Sequence, residues 1–432
     1  LRYAIISMPR DRVSAGLEDA SSLAIISMHL ARRLAPRHDV RIVASRARGQ
    51  PRAERLGPGI DCRRVGIPLS RLHKYRELAA AVFEDVTPHA SSSAYFLDYF
   101  WNAARALRDF DPDVIHIQVV GQSAALFRRL FPRARIVVHV HDTSPARVPA
   151  ATAARMLGRA DLIVTCSEYV ARTLRAELPA LTRPIVAIDN GVDVQRFVPR
   201  QRRARDPERR FGLVYLGRLS PEKGVHVLID AFNAAIARDP RLELALIGSP
   251  AMYSYAEVKL FHADPHWAAL RHFYGDNPWQ RFRRQFHRPG QRYADALRAM
   301  QTPAARAATR FAGAMPHAEV AAALAGADAL VAPSVCDEPF GMPVVEAMAA
   351  ALPVIASNAG GMGDLVDPGR TGLLVPRSDA AALAAAIVEL AADPRRCESM
   401  GDAGRQRAEQ AFTWDAMVAR LSAALAAIGV AL

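Results

Sequence analysis

Short apolar runs recur along this chain with longer helix-patterned segments between them, and the pattern runs through twice. RYAIISM, DVRIVAS, DVIHIQVV, ARIVVHVH, DLIVTCS and PIVAIDNG make the first set; FGLVYLGR, LELALIGS, ATRFAGA, ADALVAPS, LPVIASN and TGLLVPR make the second. Strands alternating with helices form parallel sheets of βαβ units, because a parallel pair needs a long crossover to bring the chain back. The restart follows a charged, turn-rich stretch, PRQRRARDPERR, from Pro199 to Arg210. At 432 residues the chain also exceeds the size at which one hydrophobic core keeps growing. The expected fold class is therefore α/β, with two doubly wound domains over residues 1–198 and 199–411. A closing segment, 412–432, carries the helix pattern FTWDAMVARLSAALAAI and is expected to pack across the hinge. Ligands of such sheets bind beyond the carboxyl ends of the strands, so two facing sheets predict one cleft.

Composition narrows the class. An apolar content of 51% allows two ordinary cores. No run of about 18 uninterrupted apolar residues occurs, the nearest (AEVAAALAGADALVAPSV) being cut by Asp328, and the N-terminus lacks a signal pattern. Cys62, Cys166, Cys336 and Cys397 lie far apart with no C-x-x-C, which excludes a thiolate zinc site and a disulfide framework. A soluble, cytoplasmic protein in a reducing compartment is the expectation. The formal charge of +13 is uneven: residues 1–200 hold 30 basic and 19 acidic side chains (+11), the remainder 26 and 24 (+2). Such a field favours polyanions, anionic lipid or phosphorylated substrates, with a solvated arginine-rich surface as the plain alternative. No nucleic-acid-binding motif occurs, so no nucleic-acid partner is expected, and peripheral contact of the basic half with the inner face of a membrane is one of the expectations that remain.

Two constellations in the second half carry chemistry. In the first, the strand LVAPSV runs into CDEPFG, and Pro343 then stands where a helix begins. The amides around Gly341 and Met342 are thereby expected at a helix N-terminus, which favours an anion such as a diphosphate. Glu346, expected within the first turn, can accept hydrogen bonds from sugar hydroxyls; Glu338, on the preceding loop, can face the other side of the same ligand. The alternative is that Glu346 only complements the helix dipole and Glu338 only caps a turn. In the second constellation, LVYLGRLSPEKG puts Gly217 and Arg218 at a strand end and Lys223 five residues on. Two cations there suit a diphosphate, Arg bidentately and Lys as a point charge, and can neutralise charge on a leaving phosphate. A lone R-x4-K is more often a pair of solvated loop charges.

Together these residues resemble the retaining, nucleotide-sugar-dependent glycosyltransferases of family 4, with their GT-B architecture of two Rossmann-like domains. The likeness rests on LGRLSPEKG, on FAGAMPHAEVAAALAGADALVAPSVCDEPFGMPVVEAMAAALPVIASNAGGMGDLV and on TGLLVP, with DVIHIQ, HVHD and DNGVDVQRF in the first half. It implies an acceptor-binding first domain and a donor-binding second one, in carbohydrate biosynthesis. It implies that Arg218 and Lys223 bind the donor diphosphate, that Glu346 holds the nucleotide ribose and that Glu338 lies near the donor sugar. Gly217, Phe340, Gly341 and Met342 join the donor contacts. His141, ending the strand in VVHVHD, matches the acceptor-side histidine, and with Arg218, Lys223 and Glu338 makes up the implied catalytic set; His139 reads as a structural histidine. Two departures stand out. Where the family has G-G-x-x-E this chain has GGMGD, with Asp364 one methylene shorter, and the loop PRDRVSAGLEDASSLA offers only Gly16 to approach the donor phosphate, or to make a simple turn.

The resemblance implies no cofactor and no metal beyond the nucleotide diphosphate sugar itself, most plainly a UDP-sugar, with a hydroxyl-bearing glycan, lipid-linked or small-molecule acceptor. Asp109, Asp111 and Asp113 in DFDPDV read as a loop and strand cap rather than a metal site. A sugar-nucleotide hydrolase or epimerase of the same fold, or a catalytically silent nucleotide-sugar-binding protein, are the rival readings. The stretch from 250 to 308 is far too long for a parallel crossover and holds ten of the chain's 30 aromatic residues: Tyr253, Tyr255, Phe261, Trp267, Phe273, Tyr274, Trp279, Phe282, Phe286 and Tyr293. Disordered segments are poor in aromatics, so a folded insertion is expected, shaping acceptor access or a subunit contact, or only packing its own small core. The oligomeric state is left open by the sequence.

Overall fold

The computed structural model describes residues 1–9, 11, 13–15, 21–83, 92, 94–199, 210–258, 264–286 and 289–432. They form two compact units: Leu1–Gly191 with Trp414–Leu432, and Val192–Thr413. The division thus falls between Gly191 and Val192, upstream of the charged stretch expected to mark it. The outgoing and returning segments run side by side, Val192 and Thr413 forming a parallel bridge with Val192 N donating to Phe412 O at 2.6 Å. Gly16 and Phe261 lie outside the described residues, as does most of the charged stretch.

In the first unit the described strands are β1 (Arg2–Ile6), β2 (Asp39–Ser45), β3 (Ala53–Gly57), β4 (Ile60–Val65), β5 (Val114–Gln118), β6 (Arg135–Val140), β7 (Leu162–Thr165) and β8 (Ile185–Ala187). They build one sheet in the order β3-β4-β2-β1-β5-β6-β7-β8. All pairings are parallel except β3 with β4. A parallel sheet covered on both faces wants apolar side chains at every position rather than every second one. Tyr3, Ala4, Ile5 and Ile6 are accordingly all solvent-excluded. The β3–β4 hairpin at the sheet edge was not among the expected strands; buried Arg64 of β4 is neutralised there by Glu54 of β3 at 2.6 Å.

The second unit repeats the plan with β9 (Phe211–Leu216), β10 (Leu242–Ile247), β11 (Thr309–Gly313), β12 (Ala329–Ala332), β13 (Val354–Ser357) and β14 (Gly372–Val375). The order is β11-β10-β9-β12-β13-β14, so the winding direction reverses between β9 and β12. The long stretch between β10 and β11 is a helical insertion: Tyr255–Val258, Trp267–Tyr274, Pro278–Phe286, Pro289–Ala299 and Pro303–Ala308. Tyr255, Trp267, Tyr274 and Tyr293 are buried in it, whereas Trp279 and Phe282 are exposed.

The closing helix Trp414–Ala426 is part of the first unit. Its Trp414, Met417, Leu421 and Leu425 enter the core formed by β1, β2 and the helix Ser22–Leu34. Trp414 stacks on His29 with ring centroids 4.4 Å apart and planes 3° from parallel. A Cβ at Gly191 would come within 2.5 Å of the indole, so the chain leaves the first unit pressed against the residue by which it re-enters. Emptying this slot should cost about 3–5 kcal/mol, the scale of an aromatic-to-alanine cavity. Trp414→Ala is therefore expected to raise amide exchange throughout β1, β2 and β5. Amides of β9, β10 and β12 should keep their protection, as measured by hydrogen–deuterium exchange.

Candidate functional site

The candidate site lies at the carboxyl ends of β9 and β12, where the sheet of the second unit reverses direction and an open α/β sheet leaves a crevice. After β9 come Gly217 and Arg218, then the turn Pro221–Lys223, then Gly224 at φ 68°, which opens the helix Val225–Ile236. A Cβ at Gly224 would sit 1.9 Å from the carbonyl oxygen of Pro333, so only glycine lets this turn lie against the end of β12. Val335 N and Cys336 N donate to the Glu222 carbonyl at 3.0 and 3.2 Å and complete the join. The two sequence constellations, more than a hundred residues apart, are thereby brought together.

Each cation at this join has a carboxylate. Lys223 pairs with Glu338, and Arg218 pairs with Glu222 at 3.2 Å. Burial works to lower the pKa of the Lys223 ammonium, but Glu338 and Tyr253 together outweigh it and leave it above the usual lysine value. Arg218 follows the same logic, with burial opposed by Tyr253 and Glu222. Both cations retain partial exposure, 30% for Arg218 and 26% for Lys223, so their edges remain open to a ligand. Gly217 begins the loop that carries Arg218 and is fixed by donation from its amide to Ile247 O at 2.9 Å.

Gly341, at φ 111°, opens the helix Met342–Ala349 with Pro343 in its first turn, as expected. That positive φ is a glycine conformation, and in the first turn Pro343 has no amide while Val344 N donates to Gly341 O at 2.9 Å. Glu346 is the fifth residue of this helix, just past the first turn in which it was expected, and there the field of the dipole has decayed. Its carboxylate is instead bonded to His317 Nε2 at 2.9 Å, with 7% of the side chain exposed. The Phe340 ring is buried against Phe412, with centroids 6.2 Å apart. Asp364 lies on the short helix Met362–Leu365 with its carbonyl held by Arg407 at 3.0 Å.

The sequence missed several members. Arg377, after β14, binds Asp337 at 2.5 Å and Asp264 of the insertion at 3.3 Å, and Asp337 N donates to Asp264 at 3.2 Å. Tyr274 donates to Glu222 at 2.6 Å, and Tyr253 covers the Arg218 guanidinium at 3.7 Å. His317 is the fourth of these. Only Glu222 carried a local signal, standing beside Lys223 in SPEKG.

In the first unit, His116, His139 and His141 form a cluster at the ends of β5 and β6. Tyr3 Oη lies 2.7 Å from His116 Nδ1, His116 Nε2 lies 3.2 Å from His139 Nδ1, and the His139 and His141 rings stand 4.0 Å apart. His141 is partly exposed and bonded to Gln118 at 2.7 Å, whereas His139 is solvent-excluded, which fits the structural role expected of it. Burial pushes the pKa of His116, and burial with the nearby His116 that of His141, down to about 3. His139 falls well below the ordinary value for the same reason. Elsewhere, Asp109 pairs with Arg41 and Asp111 with Arg2, while Asp113 accepts from Arg2 N at 2.7 Å. No group of three or more His, Cys, Asp or Glu able to hold a metal occurs among the described residues, where all four cysteines are free thiols.

The family model for "Glycosyl transferases group 1" matches residues 290–407, and that for "Glycosyltransferase Family 4" matches residues 24–196. A GDP-mannose-dependent alpha-(1-6)-phosphatidylinositol monomannoside mannosyltransferase of Mycolicibacterium smegmatis is 30% identical, over 66% of this chain and 67% of the relative. Among solved structures, the sucrose-phosphate synthase of Thermosynechococcus elongatus superposes with a TM-score of 0.70 at 22% identity, covering 99% of this chain and 98% of its own. HepE of Anabaena, solved in complex with UDP and glucose, gives 0.65 at 16% identity, with 98% and 99% covered.

A histidine whose folded pKa lies below its ordinary value of about 6.5 binds fewer protons folded than unfolded. Its burial is therefore tolerated fully above about pH 6.5, and stability drains away as the pH falls toward 3. The first unit is expected to melt at progressively lower temperature from pH 7.5 to pH 5. His116→Gln, which removes one of the neutral imidazoles, should make that decline shallower in thermal scans.

Proposed function

This chain belongs to the family 4 glycosyltransferases of the GT-B fold, and on that premise we propose that it transfers a sugar from a uridine diphosphate sugar to a hydroxyl acceptor with retention at the anomeric carbon. The observation that carries the donor half of this reading is the join of the two motif loops at the switch point of the second unit. There, Arg218 and Lys223 flank the loop that leads into the Gly341 helix start, and Glu338 and Glu346 stand on that loop and helix. In the proposed step the bond from the anomeric carbon to the diphosphate oxygen breaks as the acceptor oxygen bonds to the same face. The acceptor's proton passes to the leaving phosphate, whose charge falls to Arg218, Lys223 and the helix amides. Glu346, aligned by His317, accepts hydrogen bonds from the ribose, and Glu338 orients the donor sugar. His141, neutral at physiological pH, positions the acceptor or the sugar hydroxyls. Two protein cations do the work of a divalent metal at the diphosphate. GDP-mannose, the donor named for the Mycolicibacterium relative, is the rival to a UDP-sugar.

A membrane-borne acceptor is the second reading, and it has its own support. On the helix Ser70–Val82 and its approach, Leu69, Leu72 and Tyr75 are 49%, 50% and 67% exposed, beside exposed Arg71, Lys74 and Arg76. Leu97 and Trp101, one helical turn apart on Leu97–Arg105, are 47% and 46% exposed. Asp98 of that helix binds Leu69 N and His73, both at 2.7 Å, so the two apolar clusters adjoin. Apolar and cationic side chains mixed in this way suit an anionic lipid surface. No helix among the described residues is long and apolar enough to cross a membrane.

Incubation with UDP-, GDP- and ADP-sugars, scored by nucleoside diphosphate release with and without acceptors, tests the donor. Release from one of them, stimulated by an acceptor and unaffected by excess EDTA, is expected; stimulation by Mg or Mn after chelation would overturn the metal-free step. Arg218→Ala or Lys223→Ala should lower turnover by roughly two to three orders of magnitude. Leu72→Glu with Tyr75→Glu should abolish sedimentation with phosphatidylglycerol vesicles while leaving nucleotide affinity intact. Sedimentation equal to the wild type would sink the membrane reading.

A further inference from the structure

The insertion between β10 and β11 touches the donor loops at three points. Tyr253, in the segment leaving β10, covers the Arg218 guanidinium, 3.7 Å from its central carbon to the ring centroid. Tyr274, the last residue of the helix Trp267–Tyr274, donates its hydroxyl to Glu222 Oε2 at 2.6 Å. Asp264 is tied to Asp337 N and to Arg377 on the loops after β12 and β14. The first two meet the two members of the Arg218–Glu222 pair. Glu222 has 6% of its side chain exposed, and its contacts orient it: Ser220 Oγ donates to Oε1 at 2.6 Å, Arg218 meets Oε1 at 3.2 Å, and Tyr274 donates to Oε2. Burial and the Glu222 carboxylate push the Tyr274 phenol pKa far up, so it remains a donor throughout the working pH range.

A guanidinium is planar, with five N–H donors in a fixed fork. One that is free to swing meets a phosphate in many poses; one whose plane and one edge are fixed presents the rest of its fork in a single pose. Tyr253 fixes the plane of Arg218 and Glu222 takes an edge. Tyr274 and Ser220 in turn stop Glu222 from turning away.

We propose that Tyr253, Tyr274 and Glu222 are positioning residues for Arg218, so that the insertion is a working part of the donor diphosphate site. The proposal rests on the reading of Arg218 as a diphosphate ligand. It goes further in assigning the insertion a role on the donor side, where the sequence pointed to acceptor access or a subunit contact.

Calorimetry of the full chain with UDP, GDP and ADP identifies the diphosphate that binds, with the corresponding nucleoside as a control lacking the phosphates. Arg218→Ala should weaken the diphosphate at least tenfold and leave the nucleoside unchanged. Tyr253→Leu should weaken the diphosphate roughly tenfold, the scale of a desolvated cation–π contact. Tyr253→Phe, which keeps the ring face, should restore wild-type affinity, and Tyr274→Phe should cost several-fold. The decisive comparison is made in the Arg218→Ala background: a residue acting through Arg218 adds no further loss there, whereas one that merely supports the fold adds its full effect. If no diphosphate binds, or Arg218→Ala changes nothing, the diphosphate reading of the site falls and the proposal with it. If Arg218→Ala weakens binding but Tyr253→Leu and Tyr274→Phe do not, or if their losses add to that of Arg218→Ala, the reading survives and the proposal is overturned. Should Tyr253→Leu fail to fold, Tyr274→Phe and its double variant decide the matter alone.

Discussion

Two positive charges set beside each other at the end of one strand repel, and partial burial strips away the water that would screen them. Arg218 and Lys223 are held there because Glu222 and Glu338 answer them one for one. That constraint organises the rest of the second unit. Glu338 has to come from the loop after β12, so β12 must neighbour β9, and the turn between Pro221 and Lys223 must press against Pro333 with no side chain at Gly224. The four charges sum to zero, so the site is electrically quiet until an anion arrives. On the proposed reading, attraction for a diphosphate comes from the N–H donors at the exposed edges of Arg218 and Lys223 and rewards geometry more than net charge.

The same pairing logic explains Glu346. A carboxylate that only complemented a helix dipole would sit exposed in the first turn. This one lies just past that turn, buried, and shares its oxygen with His317. A carboxylate with one oxygen occupied has a fixed orientation for the other, which suits a group that must read a pair of neighbouring hydroxyls. In the first unit burial achieves the opposite end: three imidazoles are kept neutral, and only His141 keeps a partial opening to solvent.

What was legible in the sequence was whatever depends on neighbours along the chain. β9 and β12 announce themselves as apolar runs, and Gly341 with Pro343 marks a helix start because one needs a positive φ and the other tolerates a missing amide. The β3–β4 hairpin escaped notice because AERLG is exposed and charged, and because IDCRRV buries an arginine that only its cross-strand glutamate makes tolerable. The depth of Glu346 escaped because the helix begins a residue before its proline. Tyr274 and Glu222 are 52 residues apart, and His317 and Glu346 are 29 apart, with nothing local to connect them. Pairings of that kind are settled by how a sheet is wound, and one sequence without its fold does not display them.

The return of the last helix to the first unit bears on how the molecule is made. A ribosome releases the chain from one end, and domains ordinarily fold in the order in which they emerge. Here the core around Ile25, Met28 and β1 waits for Trp414, Met417 and Leu421, which emerge only after every residue of the second unit. The later-born unit is thus the first to have all its parts. Until Trp414, Met417 and Leu421 are synthesised, the earlier one is a sheet whose core lacks the apolar side chains that cover it.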